Sequence, residues 1–375
     1  MAANKKVLVV FGTRPEAIKM APVVRALRRV PSIDTRVAVT AQHREMLDQA
    51  LKLFEIQPDI DLDLMQPGQG LDALFASVLT GVGDVIRSLR PDRVLVHGDT
   101  TTTLAAGLSA FHAKVPLGHV EAGLRTGDMC APWPEEANRR LVAPLADLHF
   151  APTEGARANL IGEGIHPGTI SVTGNTVIDA LLWALDRLRD DPEAKAHFKA
   201  RFSFLDPNKR LILVTGHRRE NLGPGFEEVC FALRSIAKRS DVQIVYPAHL
   251  NPRVREPVER LLSNTPNVFL IAPQDYLPFA WLMQQSHLLL TDSGGIQEEA
   301  PALGKPVLVM REVTERQEAI DAGTSRLVGT GSSQISEAVA QLLDEPDVYQ
   351  RMASASNPYG DGMASARIAE LVSTH

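Results

Sequence analysis

Residues 288–309 read LLLTDSGGIQEEAPALGKPVLV. Leu288, Leu289 and Leu290 run into Thr291 as a short apolar stretch, the pattern of a buried strand. It stops at Asp292-Ser293-Gly294-Gly295, a turn-forming cluster. Ile296 to Ala300 then starts a helix, and Lys305-Pro306 leads into a second strand, Val307 to Val309. A strand that turns directly into a helix leaves backbone N–H groups unpaired, and the helix dipole adds positive potential there. Such a turn suits a phosphate or pyrophosphate. Glycine lets the backbone approach the anion closely. Glu299, about one turn in, can accept hydrogen bonds from ribose hydroxyls. Pro301 costs a helix interior roughly 3 kcal/mol, which predicts a kink there. Taken alone, the stretch also fits an ordinary connection with Glu299 as a first-turn charge.

The same rhythm fills the chain. Val7 to Phe11 is a strand, and Thr13-Arg14-Pro15-Glu16 a capping box with proline early in the helix. Arg14 lies in the turn, which favours anion contact, and Lys19 follows on the helix. Thr35 to Thr40 is the next strand, and Gln42 to Met46 opens a helix. Pro58 to Leu64 is a weaker strand, 66–70 a loop and Leu71 to Leu89 a helix. Asp92 to Gly98 is a strand followed by Asp99 and Thr100 to Thr103, good N-cap residues. Pro116 to Val120 ends at Glu121, and Pro132 to Glu136 begins another helix. Ile170 to Thr173 is a strand and Gly174 to Leu188 a helix, while 190–208 reads as crossover or linker. From Arg210 the rhythm restarts with strands 211–215, 242–246 and 268–271. The final helix, 364–372, fits either half.

Strands alternating with helices at this spacing predict parallel sheets. The expected class is α/β, with two Rossmann-like doubly wound domains facing across a cleft. The first is residues 1–173, with 361–375 as a candidate addition; the second is 174–360. Ligand sites in such sheets lie beyond the carboxyl ends of the strands. Gly12, Arg14, Asp99, Glu121 and Glu135 are expected at one edge, and the turns after 215, 291 and 309 at the other. Phe279 by itself is better read as core.

Composition narrows the function classes. The 375 residues are 44% hydrophobic and 22% charged, with net charge −6. That balance argues against a nucleic-acid or membrane-surface role. Cys130 and Cys230 lack metal or disulfide spacing, which points to free thiols in a reducing compartment. No apolar run reaches membrane-spanning length, so a cytoplasmic location is expected. Neither G-x-G-x-x-G nor a Walker A motif is present; no redox cofactor and no metal is expected.

The blocks FGTRPEAIKMAP, TAQHREMLDQ, HGDTTTTLA, HVEAGLRTGD, PWPEEANR, GNTVIDAL, VTGHRREN, YPAHLNP, TDSGGIQEEAP and GKPVLVMR closely resemble the bacterial non-hydrolysing UDP-N-acetylglucosamine 2-epimerases. The resemblance implies a GT-B arrangement and interconversion of UDP-GlcNAc and UDP-ManNAc by a homodimer without a cofactor, in the service of cell-surface polysaccharide. It implies catalytic roles for Asp99, Glu121, Glu135 and His217. It implies UDP contacts at Arg14, Lys19, Gln274, Phe279, Ser293, Gly294, Gly295, Glu299 and Arg316. Gln42, Arg218 and His249 match a site where some members bind a second UDP-GlcNAc as activator.

Those residue types suit the chemistry. The hydrogen on carbon 2 is not flanked by a carbonyl, so departure of UDP must come first to acidify it. Loss of the proton gives 2-acetamidoglucal, and reprotonation from the other face inverts the centre. A base and an acid with separated pKa values are required. Three carboxylates at one edge raise at least one pKa by repulsion, and His217 can protonate the departing diphosphate. A hydrolysing 2-epimerase, a GT-B glycosyltransferase and a non-catalytic UDP-sugar sensor are the rival readings.

Overall fold

The structure is a computed structural model and describes residues 4–41, 44–65, 68–216, 224–248 and 252–375. The chain forms two compact units, Met1–Trp183 with Tyr359–His375, and Ala184–Pro358. The division falls inside the helix Thr176–Asp190.

In the first unit, β1 (Lys5–Phe11), β2 (Ile33–Val39), β3 (Ile60–Asp61), β4 (Arg93–His97), β5 (Leu117–Val120), β6 (Leu148–Ala151) and β7 (Ile170–Val172) form a parallel sheet ordered β3-β2-β1-β4-β5-β6-β7. The order runs outward in both directions from β1 and β4, so the switch point lies between them. The turns after these two strands therefore meet. Val7 to Phe11 are fully buried because helices cover both faces. On one face Leu8, Val10, Val94 and Val96 pack with Val78, Val82 and Ile86 of helix Leu71–Leu89 and with Ala105, Ala106 and Ala110 of helix Thr101–His112.

In the second unit, β8 (Arg210–Thr215), β9 (Val242–Pro247), β10 (Val268–Ile271), β11 (Leu288–Thr291), β12 (Val307–Val309) and β13 (Ser325–Leu327) are ordered β10-β9-β8-β11-β12-β13, again parallel. Its switch point lies between β8 and β11, where the Thr215 and Thr291 hydroxyls hydrogen-bond at 2.6 Å. Alternate residues face opposite layers. Ile212, Val214, Leu288 and Leu290 join one cluster, while Leu213, Leu289, Val307 and Val309 join another with Trp281 and Leu282. The expected α/β class with two parallel sheets is what forms.

Several expectations change in detail. The stretch 190–208 contains the helix Pro192–Arg201, capped by Asp191, whose carboxylate accepts from Ala194 N at 2.9 Å. Phe198 and Phe202 anchor it, Phe202 stacking on Trp281 at 5.2 Å. The opening stretch forms a helix from Gly294 to Glu299, then a 3₁₀ turn over Ala300–Leu303 with Pro301 near its start. Proline at that position, in the first turn of the 3₁₀ segment, has no helical hydrogen bond to remove. The last helix, Ala364–Thr374, belongs to the first unit. Asp179 accepts from Ala364 N at 3.2 Å and from Ser365 N at 2.7 Å, and Lys5 Nζ donates to the Val372 carbonyl at 3.0 Å. Among the described residues no helix is long and apolar enough to cross a membrane.

Candidate functional site

The carboxyl edge of the first sheet is organised by a buried carboxylate. Thr13 caps the helix Arg14–Arg28, and Glu16 completes the capping box by accepting from Thr13 N at 2.8 Å and Gly12 N at 3.1 Å. The same carboxylate accepts from the hydroxyls of Thr100 (2.8 Å) and Thr103 (3.3 Å) at the start of helix Thr101–His112. Glu16 thus pins the turn after β1 to the turn after β4. Burial raises its pKa, against the opposing influence of His97 and the hydrogen bonds from Thr13 and Thr100. A side chain at Gly12 would place Cβ 2.1 Å from Thr40 Oγ1, so the close approach of these turns requires glycine.

Glu121 follows β5 with φ +60°, a left-handed conformation that costs a non-glycine residue about 1–3 kcal/mol. Its Oε2 is paired with Lys19 Nζ and accepts from Asn175 Nδ2 at 3.0 Å, and His97 Nε2 lies 3.7 Å away. Burial pushes the Glu121 pKa upward, but Lys19 and then His97 outweigh it and hold the carboxyl well below its usual range. His119 on β5 donates Nε2–H to the Gly98 carbonyl at 2.7 Å, and burial pushes its pKa down to about 3, so the ring is neutral. It braces the Gly98-Asp99 turn from beneath.

Asp99 is ion-paired with Arg139, and its carbonyl accepts from Asn138 Nδ2 at 2.9 Å. Both partners lie on the helix Glu135–Val142, which ties the β4 turn to that helix. Glu135 is half-buried and makes no hydrogen bond or ion pair among the described residues. Its neighbour Glu136 is fully buried, bound to Arg139 and Arg140 (3.2 Å each) and to the backbone N–H groups of Thr126 (3.2 Å) and Gly127 (3.4 Å). Glu136 therefore shapes the loop. Arg14 is half-buried and also makes no such contact among the described residues.

In the second unit the helix begins at Gly294, so the N–H groups of Gly294 and Gly295 lie in a first turn without intrahelical acceptors. Ser293 N donates to Thr291 Oγ1 at 2.9 Å, and Gln297 Nε2 closes on the Ser293 carbonyl at 3.2 Å. Glu299 accepts from the Tyr276 hydroxyl at 3.0 Å; burial, with Glu299 beside it, holds the Tyr276 pKa well above normal. Arg316 donates Nε to buried Glu298 at 2.6 Å, with Glu315 3.7 Å from its Nη1. Gln274 accepts from Arg201 at 2.7 Å. Phe279 packs partly buried against the Trp281 cluster.

Each sheet edge gathers its own share of the expected residues: Arg14, Lys19, Asp99, Glu121 and Glu135 in one unit, and Gln274, Phe279, Ser293, Gly294, Gly295, Glu299 and Arg316 in the other. Gln42, His217, Arg218 and His249 lie outside the described residues. Sequence reasoning passed over Glu16 as a cap, and missed His97, Asn175, Arg139, Glu136 and Tyr276. The Glu136, Arg139, Arg140 spacing of three and four residues was a legible signal; the contacts of His97 and Asn175 depend on strand order. Among the described residues no group of three or more His, Cys, Asp or Glu side chains is arranged to hold a metal ion.

A family model described as UDP-N-acetylglucosamine 2-epimerase matches residues 25–373. The UDP-N-acetylglucosamine 2-epimerase of Escherichia coli (strain K12) is 60% identical over 368 residues, covering 98% of each chain. The crystal structure of UDP-GlcNAc 2-epimerase from Neisseria meningitidis bound to UDP-GlcNAc superposes with TM-score 0.91 at 52% identity, over 99% of this chain and all of that one. The Methanocaldococcus jannaschii enzyme in complex with UDP-GlcNAc and UDP gives TM-score 0.80 at 32% identity, over 99% of this chain and 100% of that one. With a family model spanning most of its length and relatives this similar end to end, the chain belongs to the UDP-N-acetylglucosamine 2-epimerase family.

Proposed function

We propose that the chain interconverts UDP-GlcNAc and UDP-ManNAc without net hydrolysis, by elimination and re-addition of UDP. The observation that carries this reading is the pair of carboxylates in contrasting surroundings at one sheet edge. Glu121 is held by Lys19, Asn175 and His97, and Asp99 by Arg139. In the forward direction the carbon 1–oxygen bond breaks, and its electron pair leaves with the β-phosphate of UDP. A carboxylate takes the proton from carbon 2, and those C–H electrons form the carbon 1–carbon 2 double bond of 2-acetamidoglucal. A proton delivered to the opposite face of carbon 2 and return of the phosphate oxygen to carbon 1 complete the inversion. Glu121, kept ionised, suits the base, and Asp99 and Glu135 are the candidates for the opposite face.

On the same reading Ser293, Gly294 and Gly295 receive the diphosphate with Arg14 and Arg316, Glu299 accepts from the ribose, and Gln274 and Phe279 meet the base. His217 assists the leaving group. Gln42, Arg218 and His249 take a second UDP-GlcNAc as activator, and the working form is a cytoplasmic homodimer supplying cell-surface polysaccharide.

One incubation tests the reaction. Purified protein with UDP-GlcNAc in heavy water, followed by NMR, should give UDP-ManNAc carrying deuterium at carbon 2. Free ManNAc with UDP would identify a hydrolysing enzyme, and turnover only with an added acceptor a transferase. Product that keeps its original hydrogen would refute elimination.

A further inference from the structure

We propose that His97 is a positioning residue for proton transfer at carbon 2, acting through Glu121. The inference rests on the reading of Glu121 as an acid–base group and adds His97, which opens the HGDTTTTLA block but to which the resemblance assigns no role. His97 is the last residue of β4 and is 4% exposed, yet neither ring nitrogen has a hydrogen-bond partner among the described residues. Burying an imidazole without a partner is costly, and buried polar groups are seldom left so without a reason. The reason lies 3.7 Å away. Lys19, Asn175 and His97 all converge on one oxygen of Glu121, Oε2. The other oxygen, Oε1, makes no hydrogen bond among the described residues.

This asymmetry divides the carboxylate into an anchored oxygen and a working one. Oε2 already receives Lys19 and Asn175, one donor for each in-plane lone pair. His97 stands just outside hydrogen-bond distance as a third polar neighbour. When Oε1 takes a proton the carboxylate loses its charge, and the attraction that holds Lys19 weakens. The polar Nε2 edge of the ring, facing Oε2, favours negative charge on that oxygen, so Oε2 stays the anchored one and Oε1 stays in register for the return of the proton. The charged and titratable groups around the ring are Glu16 and Lys19 from helix Arg14–Arg28, His119 from β5, and Glu121 itself.

The test uses the full chain with His97→Phe, which keeps the volume and removes both nitrogens, and His97→Gln, which restores a donor at the position of Nε2. His97→Phe is expected to lower kcat at least about tenfold, less than the roughly 10²–10⁴-fold of an acid–base group itself because Glu121 remains, with KM for UDP-GlcNAc within about twofold. The acid limb of the kcat–pH profile should move to higher pH, because Glu121 loses a neighbour that favours its ionised form. His97→Gln should recover most of kcat. An unchanged kcat and acid limb in His97→Phe overturns the proposal. So does a fall in kcat matched by lost stability, with no movement of the limb and no recovery in His97→Gln. Glu121→Gln run alongside separates the layers: full activity there overturns the reading of Glu121 itself, whereas an inactive Glu121→Gln beside a normal His97→Phe overturns only the role of His97. Should His97→Phe not fold, ¹⁵N spectra of the His97 ring in wild type and Glu121→Gln decide. Ring shifts and their pH response should differ between the two, and identical titrations overturn the proposal.

Discussion

Replacing Lys19 by methionine keeps the side-chain length and removes the cation that dominates the surroundings of Glu121. The Lys19 and Glu121 side chains are 16% and 9% exposed, so solvent does little to screen the pair. Breaking a buried pair by removing one partner costs about 3–5 kcal/mol, because the remaining charge is left uncompensated. Asn175 and His97 still face Glu121, which places the expected loss near the lower end, about 3 kcal/mol at pH 7. The pH dependence has a definite sign. In the wild type the Glu121 pKa is depressed, so its contribution is fully present above the usual carboxylate range. It is lost only as pH falls through the lower folded value. Without Lys19, burial is the largest remaining influence and drives the pKa upward, and protonation then relieves the variant as pH falls. The stability gap between wild type and Lys19→Met should therefore be widest at pH 7 and narrow toward pH 4. Urea unfolding of both proteins at several pH values, followed by far-UV circular dichroism and by tryptophan fluorescence, measures it. A gap below about 1 kcal/mol at pH 7, the scale of an exposed pair, or one of equal size at pH 7 and pH 4, would refute the reasoning.

Other expectations follow from single contacts. Glu299→Gln should weaken UDP binding tenfold or more, since a hydrogen bond to a charged group is worth roughly 1.5–3 kcal/mol; calorimetry with unchanged affinity would count against ribose recognition by Glu299. Asp179→Ala should destabilise the first unit by about 2–3 kcal/mol and speed hydrogen exchange in Ala364–Thr374, because the carboxylate that caps this helix is gone. Thiol titration of the native protein should label Cys130, which is exposed, and spare Cys230, whose burial pushes its pKa to about 12; both should react in denaturant. Equal native reactivity of the two thiols would contradict that placement.

What was legible in the sequence was what period and punctuation encode. Continuous apolar runs marked β1, β4, β8 and β11, and the Thr13–Glu16 capping box and the Leu71–Leu89 helix appear as expected. The helix in 190–208 was hidden because two aromatic anchors among many charges give a weak stripe. Pro301 marks an interruption of the helix, and the form it takes, a switch from α to 3₁₀ geometry, is not encoded in the proline itself. At the first sheet edge the motifs marked the ends of strands, where Asp99 and Glu121 stand. They could not supply Lys19 with Glu121, Asn175 with Glu121 or His97 with Glu121, because these pairs are 102, 54 and 24 residues apart and meet only through strand order. Periodicity carries no information about which carboxylate faces which cation. Strand order does, and it emerges only on folding.

The last helix also bears on how the protein is made. Ala364–Thr374 packs on helix Arg14–Arg28, so the first unit takes its final piece from the end of the chain, after all of Ala184–Pro358 has been synthesised. At about 5–20 residues per second, those intervening residues delay completion by roughly 10–35 s. For that interval the face of Arg14–Arg28 that the helix will cover is open, and the Asn175 N–H lacks the Tyr359 carbonyl to which it donates at 2.7 Å. The second unit holds every strand of its sheet in one continuous segment and can close without waiting. Maturation should thus proceed against the order of translation, with the unit begun first being the last to become rigid. A fragment ending at Pro358 would preserve that waiting state for study, and a peptide of residues 359–375 added to it should complete the layer in trans.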